Sequence, residues 1–445
     1  MKLHSLLIAA LVLCILTVFL YWSNRHKPAD DTAKISADAP PPILKLDQSA
    51  ITKLELKKKD SDPVVLAKTS SGDWQITGPK PMRADQSAVT GLVSTVSSLN
   101  SERMVEDKAT DLQAFGLDQP LLEVDVTEKN KSQKLLLGAD TPASSGVYAM
   151  LTGDPRLFTV ASYTKTSLDK SLNDLRDKRL LPVNADKVSR VEVVRKNSDI
   201  EFGRTKDDWQ ILKPKPMRAD GIQVGDLVRD LTNAKMDLSS ADAKQASSEF
   251  AHATPVAVAK VTDDSGTQQL ELRKKKDTYY AKSSAVEGEY KVDSGLGKTL
   301  EKSVDDFRNK KLFAFSYNDP NKIELHNGSK AYFLARGTAG TDDWWSNGKK
   351  MDAANVESVI SDLRDLSASK FPNSGFSNPA IEATVVSDDG KRTEKVEIAK
   401  SGDHYIARRE NDPSFYELSA DSVDGLLKAA EELKPAATQA AQKKP

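Results

Sequence analysis

One heptapeptide occurs twice in this chain of 445 residues, and it constrains the architecture more than any other feature. Pro-Lys-Pro-Met-Arg-Ala-Asp stands at 79–85 and again at 214–220, an offset of 135 residues (214 − 79). Trp74 and Trp209 keep this offset, and Trp344 continues it once more. A fixed period of this kind indicates tandem copies of one folding unit, so the sequence predicts three related units.

The segment after the heptapeptide predicts the same amphipathic helix in each copy. Apolar residues follow Asp85, Asp220 and Asp352 at positions +4, +7, +8, +11 and +14, which is one stripe of a helix with 3.6 residues per turn. An aspartate at the head of such a stripe can accept the free N–H groups of the first turn, so each of the three is a predicted N-cap.

Segments that alternate apolar and polar residues flank this helix and predict antiparallel strands. They include 51–56, 191–194 and 322–325 before the helix, and hairpins with Asp-Ser-Gly or Asp-Asp-Gly turns after it in the second and third copies. Leu168, Leu172 and Leu175 predict a second, closing helix in the first copy. The predicted fold class is therefore α+β: three tandem repeats of an antiparallel β-sheet unit with two helices each, after one N-terminal transmembrane helix.

The predicted boundaries follow from the repeat and from local composition. They are a membrane anchor at 1–27, a Pro/Ala-rich linker at 28–42, α+β repeats at 43–181, 182–314 and 315–434, and a disordered tail at 435–445. An Arg-Asp-Lys or Arg-Asn-Lys exit closes the first two copies at 176–178 and 308–310. Because the third copy lacks it, the exit is interpreted as a joint into the next repeat.

Residues 3–22 are almost entirely apolar and are long enough, as a helix, to cross a bilayer of about 30 Å. A cleaved signal peptide would need a shorter core and a nearby small-residue site, and a lipoprotein would need a small residue before Cys14, where Leu13 stands. Arg25 and Lys27 slightly favour a cytoplasmic C-terminal side, but a long polar domain after a short N-terminus commonly crosses the membrane. We therefore expect a single-pass protein of the bacterial inner membrane, with its C-terminal domain extracytoplasmic.

Composition excludes several kinds of site. Lys and Arg total 64 against 65 Asp and Glu, so no net charge draws the chain to nucleic acid. One cysteine cannot form a disulfide framework or a thiolate metal cluster, and five histidines are few for a metalloenzyme. The sequence thus predicts no cofactor, no metal and no nucleic-acid partner.

The repeated aromatic and basic residues are the candidates for an interaction site. Trp74, Trp209 and Trp344, with its neighbour Trp345, either stack on a ligand or pack in the core, and core packing is the favoured interpretation. Arg83 and Arg218 either bind an anion at a helix N-terminus or pair on the surface. Lys350 is read as one position out of register with these arginines, which favours the surface interpretation.

No motif in the chain predicts catalysis. Gly297-Lys298-Thr299 lies between a strand and a helix, but a P-loop needs a glycine where Val292 stands, so we expect a helix start there. No Gly-x-Ser-x-Gly elbow or paired-histidine zinc motif occurs. The chain is therefore expected not to be an enzyme, with a hydrolase built from dispersed residues as the alternative.

The chain resembles the bacterial "domain of unknown function 4340" family. The resemblance rests on the strand-turn-Trp opening, the Arg-Ala-Asp helix start, Phe115-Gly-Leu-Asp-Gln-Pro120, Tyr148-Ala149 and Leu175-Arg-Asp-Lys178. It implies an N-terminal span and, in some members, a gene beside ABC transporter components of the gliding-motility type. It establishes no catalytic residue. The implied role is an accessory or scaffold protein of the cell envelope with envelope or ABC transporter partners, and a glycan- or lipid-binding module is the alternative.

Overall fold

The computed structural model describes residues 41–142, 144–206, 208–239, 245–316, 320–337 and 343–437. The predicted anchor at 3–22 lies outside the described residues, as does the linker up to residue 40. Within those described ranges, no helix combines the length and the apolar character needed to cross a membrane.

The first unit is a nine-stranded antiparallel sheet with the order β4-β3-β2-β1-β6-β7-β8-β9-β5. Its elements are β1 Ile51–Lys58, β2 Val64–Lys68, β3 Trp74–Gly78, β4 Met82–Arg83, α1 Gln86–Ser97, β5 Arg103–Glu106, β6 Leu122–Glu128, β7 Lys131–Asp140, β8 Gly146–Leu151, β9 Leu157–Ala161, α2 Ser162–Leu168 and α3 Leu172–Leu175.

The second unit is an eight-stranded sheet with the order β13-β12-β11-β10-β14-β15-β16-β17. Its elements are β10 Arg190–Val194, β11 Asp199–Thr205, β12 Asp208–Lys213, β13 Met217–Arg218, α4 Gly221–Thr232, α5 Ala246–His252, β14 Thr254–Asp263, β15 Gly266–Lys275, β16 Thr278–Ser283, β17 Glu289–Val292, α6 Ser294–Glu301 and a 3-10 turn at Val304–Phe307.

The third unit repeats this order as β21-β20-β19-β18-β22-β23-β24-β25. Its elements are β18 Lys322–Asn327, β19 Lys330–Arg336, β20 Trp344–Ser346, β21 Lys349–Lys350, α7 Ala353–Asp365, β22 Ile381–Ser387, β23 Arg392–Ser401, β24 His404–Arg409, β25 Phe415–Ser419 and α8 Ala420–Glu431. The predicted α+β class with three antiparallel sheet units is therefore confirmed.

Each unit has two layers because each strand buries one side and exposes the other. In β1, Leu54 and Leu56 are buried under the helices, whereas Lys57 on the opposite face pairs with Glu123 at 3.3 Å. Burying a leucine side chain completely contributes about 1.5–3 kcal/mol, so the buried face supplies the stability. The outer face is charged and solvated.

The helix after the heptapeptide forms as predicted in all three units. Every residue of the stripe is buried: Val89, Leu92, Val93, Val96 and Leu99 in the first unit, Val224, Leu227, Val228, Leu231 and Ala234 in the second, and Val356, Val359, Ile360, Leu363 and Leu366 in the third. Asp85, Asp220 and Asp352 cap the three helices, each accepting two backbone N–H groups through its carboxylate. This confirms the N-cap prediction.

The closing helix differs from the prediction in the first two units. It is split into α2 and α3 in the first, and into α6 and the 3-10 turn in the second. The split falls where Ser171 and Asp174, and likewise Ser303 and Asp306, form a capping box that starts a new turn. Only the third unit closes with one continuous helix, α8.

Three separate hydrophobic cores lie within the described residues, and the chain divides into two compact bodies, one ending at Asp177 and one beginning at Lys178. Leu180 and Leu181 pack in the second core, and Leu312 and Phe313 in the third. Each core therefore begins a few residues before the boundary at 182 or 315 that the sequence predicts.

Candidate functional site at the repeated motif

The repeated tryptophans stand at one position of the sheet, on the strand that precedes the heptapeptide or its third-copy counterpart. Each lies opposite a basic residue of the adjacent strand: Trp74 opposite Lys68, Trp209 opposite Arg204, and Trp344 opposite Arg336. Trp74 and Trp344 are buried and Trp209 packs against the second core. The three residues therefore pack as core aromatics, and Trp345 alone of the four is exposed, at 40%.

Trp74 also lines a surface pocket of about 550 Å³ in the first unit. Its polar neighbours are already engaged by the protein. The Gln86 side chain exchanges two hydrogen bonds of 2.8 Å with the Trp74 backbone, and Lys68 donates to the Ser49 carbonyl at 3.2 Å. The polar groups that line this pocket therefore already make hydrogen bonds within the first unit.

Arg83, Arg218 and Lys350 occupy equivalent places, which corrects the register expected for the third copy. Arg83 pairs with Gln75, Arg218 with Gln210, and Lys350 with Trp345, always one residue beyond the core tryptophan. Each of the three stands two residues before its capping aspartate (85 − 83, 220 − 218 and 352 − 350), so Lys350 is in register with the arginines in the sequence as well as in the sheet. The basic residue therefore recurs in all three units.

The backbone carbonyl of this basic residue accepts a hydrogen bond from the segment with which the chain leaves the unit. The carbonyl of Arg83 accepts from Asp177 N–H and that of Arg218 from Asn309 N–H, each at 2.9 Å. In the third unit the carbonyl of Lys350 accepts from Ala436 N–H at 2.9 Å. The exit segment thus adds to the sheet edge in every unit, including the third, which the sequence interpretation had left without an exit.

The aspartate two residues further on completes this closure. The backbone N–H groups of Asp85, Asp220 and Asp352 donate to the carbonyls of Leu175, Phe307 and Lys434 at 2.8–2.9 Å. The third closure includes Pro435 and Ala436, which the sequence assigned to the tail; residues 438–445 lie outside the described residues. The repeated motif therefore builds and closes the unit.

The side chains of Arg83 and Arg218 are engaged rather than presented to an anion. Arg83 Nε lies 3.4 Å from a carboxylate oxygen of Asp177, which is buried. Arg218 Nη1 donates to the Lys311 carbonyl at 2.7 Å. With the helix N-termini already capped by aspartate, this arrangement supports the ion-pair interpretation over anion binding.

Arg218 also belongs to a polar cluster that the sequence interpretation missed. This joint cluster comprises Arg218, Glu394, Arg409, Asp412 and Tyr416, all in the body that begins at Lys178, and the Arg218 side chain reaches it through a hydrogen bond with Tyr416 and its charge beside Asp412. Tyr416 Oη donates to Asp412 at 2.6 Å, and Arg409 Nη2 donates to Glu394 at 2.8 Å. Between 176 (394 − 218) and 198 (416 − 218) residues separate Arg218 from the others, so no local pattern could have joined them.

Burial controls the ionisation of this cluster. Burial, and then the hydrogen bond to Asp412, raise the pKa of Tyr416 to about 12. Burial acts to raise the pKa of Asp412, but hydrogen bonds from Tyr416 and Ser414 outweigh it, so that pKa lies below its usual value. Burial also lowers the pKa of Arg409. The cluster therefore holds a neutral tyrosine beside an ionised aspartate at neutral pH.

The charges of the joint cluster balance, with two arginines against two carboxylates. A pocket of about 600 Å³ lies beside it, where Arg408 pairs with Glu397 at 2.6 Å and Lys395 with Glu382 at 2.8 Å. Within the described ranges, no three His, Cys, Asp or Glu side chains converge as metal ligands would. The paired charges in and beside the joint cluster therefore link neighbouring elements of the fold.

The Phe-Gly-Leu-Asp-Gln-Pro segment is likewise used inside the fold. The Phe115 carbonyl accepts from Ala139 N–H at 2.9 Å, and its ring meets Tyr148 edge to face at 4.9 Å. A Cβ on Gly138 would lie 2.3 Å from that carbonyl, so only glycine permits this approach. The segment therefore docks on β7 and β8.

Gly297 also has a packing role. It lies inside α6, whose N-cap is Asp293, rather than at a helix start. A Cβ at Gly297 would come within 2.3 Å of the Tyr279 ring, and the Thr299 hydroxyl donates to Asp230 at 2.6 Å. Because Gly297 has no side chain, the Tyr279 ring can pack directly against α6.

The fold and the repeated motif define a class: tandem α+β repeats, each an antiparallel sheet closed by its own exit segment. The chain belongs to the family described as Domain of unknown function (DUF4340), whose model matches residues 74–220 and 209–384. Each match runs from the core tryptophan of one unit into the next unit. No curated protein matches the chain.

Two solved structures align with most of the chain at low identity and with a low TM-score. One is the DNA polymerase III subunit beta from Pseudomonas aeruginosa, with 9% identity, a TM-score of 0.15, and coverage of 85% of this chain and 94% of that one. The other is the DnaN sliding clamp of the same organism bound to griselimycin, with 7% identity, a TM-score of 0.15, and coverage of 84% and 91%. A TM-score of 0.15 does not indicate a shared fold.

Proposed function

We propose that this protein is a non-catalytic accessory or scaffold protein of the bacterial cell envelope, anchored in the inner membrane by residues 3–22, with its three units outside the cytoplasm. The observation that supports a scaffold is the use made of the repeated residues. The tryptophan, the basic residue and the aspartate of the motif pack the core, close the sheet edge and cap the helix. The residues that recur in each unit therefore have structural roles within that unit.

The apolar run at 3–22 supports the anchor. It has the length of one membrane-spanning helix, and Tyr21 and Trp22 stand where interfacial aromatic residues are typical. A protein held at the membrane surface by one span and carrying several extramembrane units suits an auxiliary part of a transport system of the ABC type, with that transporter as its partner.

Membrane fractionation and topology reporters test the anchor and its orientation. We expect the full chain to sediment with membranes, and a C-terminal alkaline phosphatase fusion to be active. Leu11→Arg combined with Ile15→Arg should release the chain, because each charge costs about 2.5–3.5 kcal/mol at the centre of a span. An inactive phosphatase fusion together with a fluorescent C-terminal green fluorescent protein would reverse the proposed orientation.

Affinity purification from membranes in mild detergent tests the accessory role. We expect an ATPase and a permease, or another envelope assembly, to co-purify with the wild-type chain and to be lost with the Leu11→Arg, Ile15→Arg double variant. Purification of the wild-type chain without any such envelope assembly would contradict the role.

A further inference from the structure

The outer face of the third sheet carries two exposed aromatic rings. Phe333 on β19 is 42% exposed and Trp345 on β20 is 40% exposed. Trp345 lies directly opposite Ala335, two residues beyond Phe333, so strand alternation puts both rings on one face. Their neighbours Leu334 and Trp344 point the other way and are buried. The two residues are therefore diagonal neighbours on the solvent side, at positions whose backbones lie about 7–8 Å apart.

Polar side chains with free hydrogen-bonding capacity border the rings. Lys322 stands opposite Ala335 and Glu324 opposite Phe333, and the His326 ring meets Phe333 edge to face at 5.5 Å. Lys322 and Glu324 are exposed and have no ion-pair partner among the residues that the structure describes. The face thus offers one free cation, one free carboxylate and an imidazole around two rings.

The other two units show that these rings are not needed to build the sheet. The place of Trp345 is taken by Gln75 in the first unit and by Gln210 in the second. The place of Phe333 in the second unit is taken by Glu201, which pairs with Arg190 at 2.8 Å. The aromatic pair is an addition to the third unit.

We propose that Phe333 and Trp345, bordered by Lys322, Glu324 and His326, form a binding platform for a neutral carbohydrate chain. The C–H face of a sugar ring is apolar and stacks on an aromatic side chain, while its hydroxyls donate to a carboxylate and accept from an ammonium or imidazole group. Two rings at diagonal positions allow a short chain of linked sugars to stack on both.

The surroundings of the platform favour a carbohydrate over other occupants. Anionic lipid and nucleic acid both select for excess positive charge, whereas here Lys322 is matched by Glu324, and Lys350, opposite Trp345, pairs with Asp343 at 2.8 Å. A stable protein interface buries about 800 Å² on each partner around an apolar centre. On the third unit, Phe333 and Trp345 are the large apolar side chains that the described residues expose, and farther across the same face Lys395 and Glu382 pair with each other.

The choice of sugar rests on the proposed envelope location, so the probe is a soluble tetramer of β-1,4-linked N-acetylglucosamine. Titration into the full chain in mild detergent is followed by calorimetry and tryptophan fluorescence. We expect saturable binding, and Trp345→Gln, which installs the residue of the other two units, should weaken it at least about tenfold.

Ile222→Gln is the matched control, because it replaces another exposed apolar residue (74% exposed) in the second unit by the same side chain. It should leave tetramer binding unchanged, and both variants should unfold at the wild-type temperature. Absence of saturable binding by the wild type, or binding that Trp345→Gln does not weaken, would overturn the platform. Trp345-dependent binding of anionic vesicles or of an oligodeoxythymidylate in place of the tetramer would overturn it too. These titrations do not depend on the outcome of the topology experiment. The proposed membrane orientation and the proposed carbohydrate platform can therefore be rejected independently.

Discussion

At the scale of single residues, the aspartate of the motif joins two parts of the unit. Its carboxylate caps the helix, and its own N–H bonds to the exit segment. Because both contacts come from one residue with an extended backbone, this residue links the start of the helix to the closure of the unit. The joint cluster has a comparable role, since Tyr416 and Asp412 of the third unit meet Arg218 of the second.

Tyr416→Phe should change how stability depends on alkaline pH. The pKa of Tyr416 is about 12 in the folded chain against about 10 in the unfolded chain, so the folded state holds this proton more tightly. Its contribution is full below pH 10 and is lost as pH rises through about 12, an effect of roughly 2–3 kcal/mol. Urea unfolding at about pH 9 and about pH 11 should show a smaller loss in the variant than in the wild type.

Tyr163→Phe is the control for this measurement, since it removes the same hydroxyl group from a side chain that is 76% exposed. At neutral pH, Tyr416→Phe should also lower stability by about 1 kcal/mol because Asp412 loses its 2.6 Å donor. Equal alkaline losses in wild type and Tyr416→Phe would show that Tyr416 does not retain its proton in the fold.

Gly297→Ala should destabilise the second unit. The new methyl group would lie 2.3 Å from the Tyr279 ring, and overpacking of this kind costs about 1–3 kcal/mol. Gly225→Ala in α4 meets nothing within 4 Å and should be neutral or stabilising by up to about 1 kcal/mol. Thermal unfolding of the two variants checks both signs, and equal shifts would contradict the packing role.

Residue-level features were predictable where they repeat. The buried stripe of α1, α4 and α7 and its aspartate caps follow from spacing alone. The distinction between buried Trp344 and exposed Trp345 does not, because it depends on which face of β20 meets the core. The joint cluster could not be predicted, because Arg218 meets its partners only through the pairing of two distant units.

At the scale of elements, strands and hairpins were more predictable than the closing helix and the segment that ends each unit. Alternation placed β1, β10 and β18 correctly, since one face of each strand is buried. The break in the closing helix depends on a Ser-x-x-Asp capping box inside an apolar pattern, which favours continuation. The closure by Lys434–Ala436 was missed because it uses backbone groups, which any sequence supplies.

Truncation should separate the third unit's closure from the rest of the tail. A chain that ends at Ala437 should unfold at the wild-type temperature. A chain that ends at Leu433 loses the hydrogen bonds to Asp352 and Lys350, and we expect about 1–3 kcal/mol less stability. Equal melting of the two truncated chains would show that the exit segment contributes nothing to the third unit.

At the scale of the whole molecule, three cores fall into two bodies. We expect calorimetry to resolve two unfolding transitions. Leu92→Ala and Leu227→Ala remove matched buried residues at position +7 and should each lower one transition, by about 2–5 kcal/mol. Leu363→Ala, in the third core, should move the same transition as Leu227→Ala, because both residues lie in the body that begins at Lys178. Three independent transitions would contradict this coupling.

The exit segment that covers each sheet edge also has a consequence for how chains of this kind can gain or lose whole units during evolution. Recombination between the two coding copies of the heptapeptide would remove or add 135 residues (220 − 85). It would join the front of one unit to the rear of another, and the new unit would still carry its own exit segment and its own capping aspartate. Because an unpaired edge strand invites aggregation, this arrangement makes gain or loss of a unit tolerable to the fold. We therefore expect related chains to differ in length by whole units, with the joins falling inside the heptapeptide.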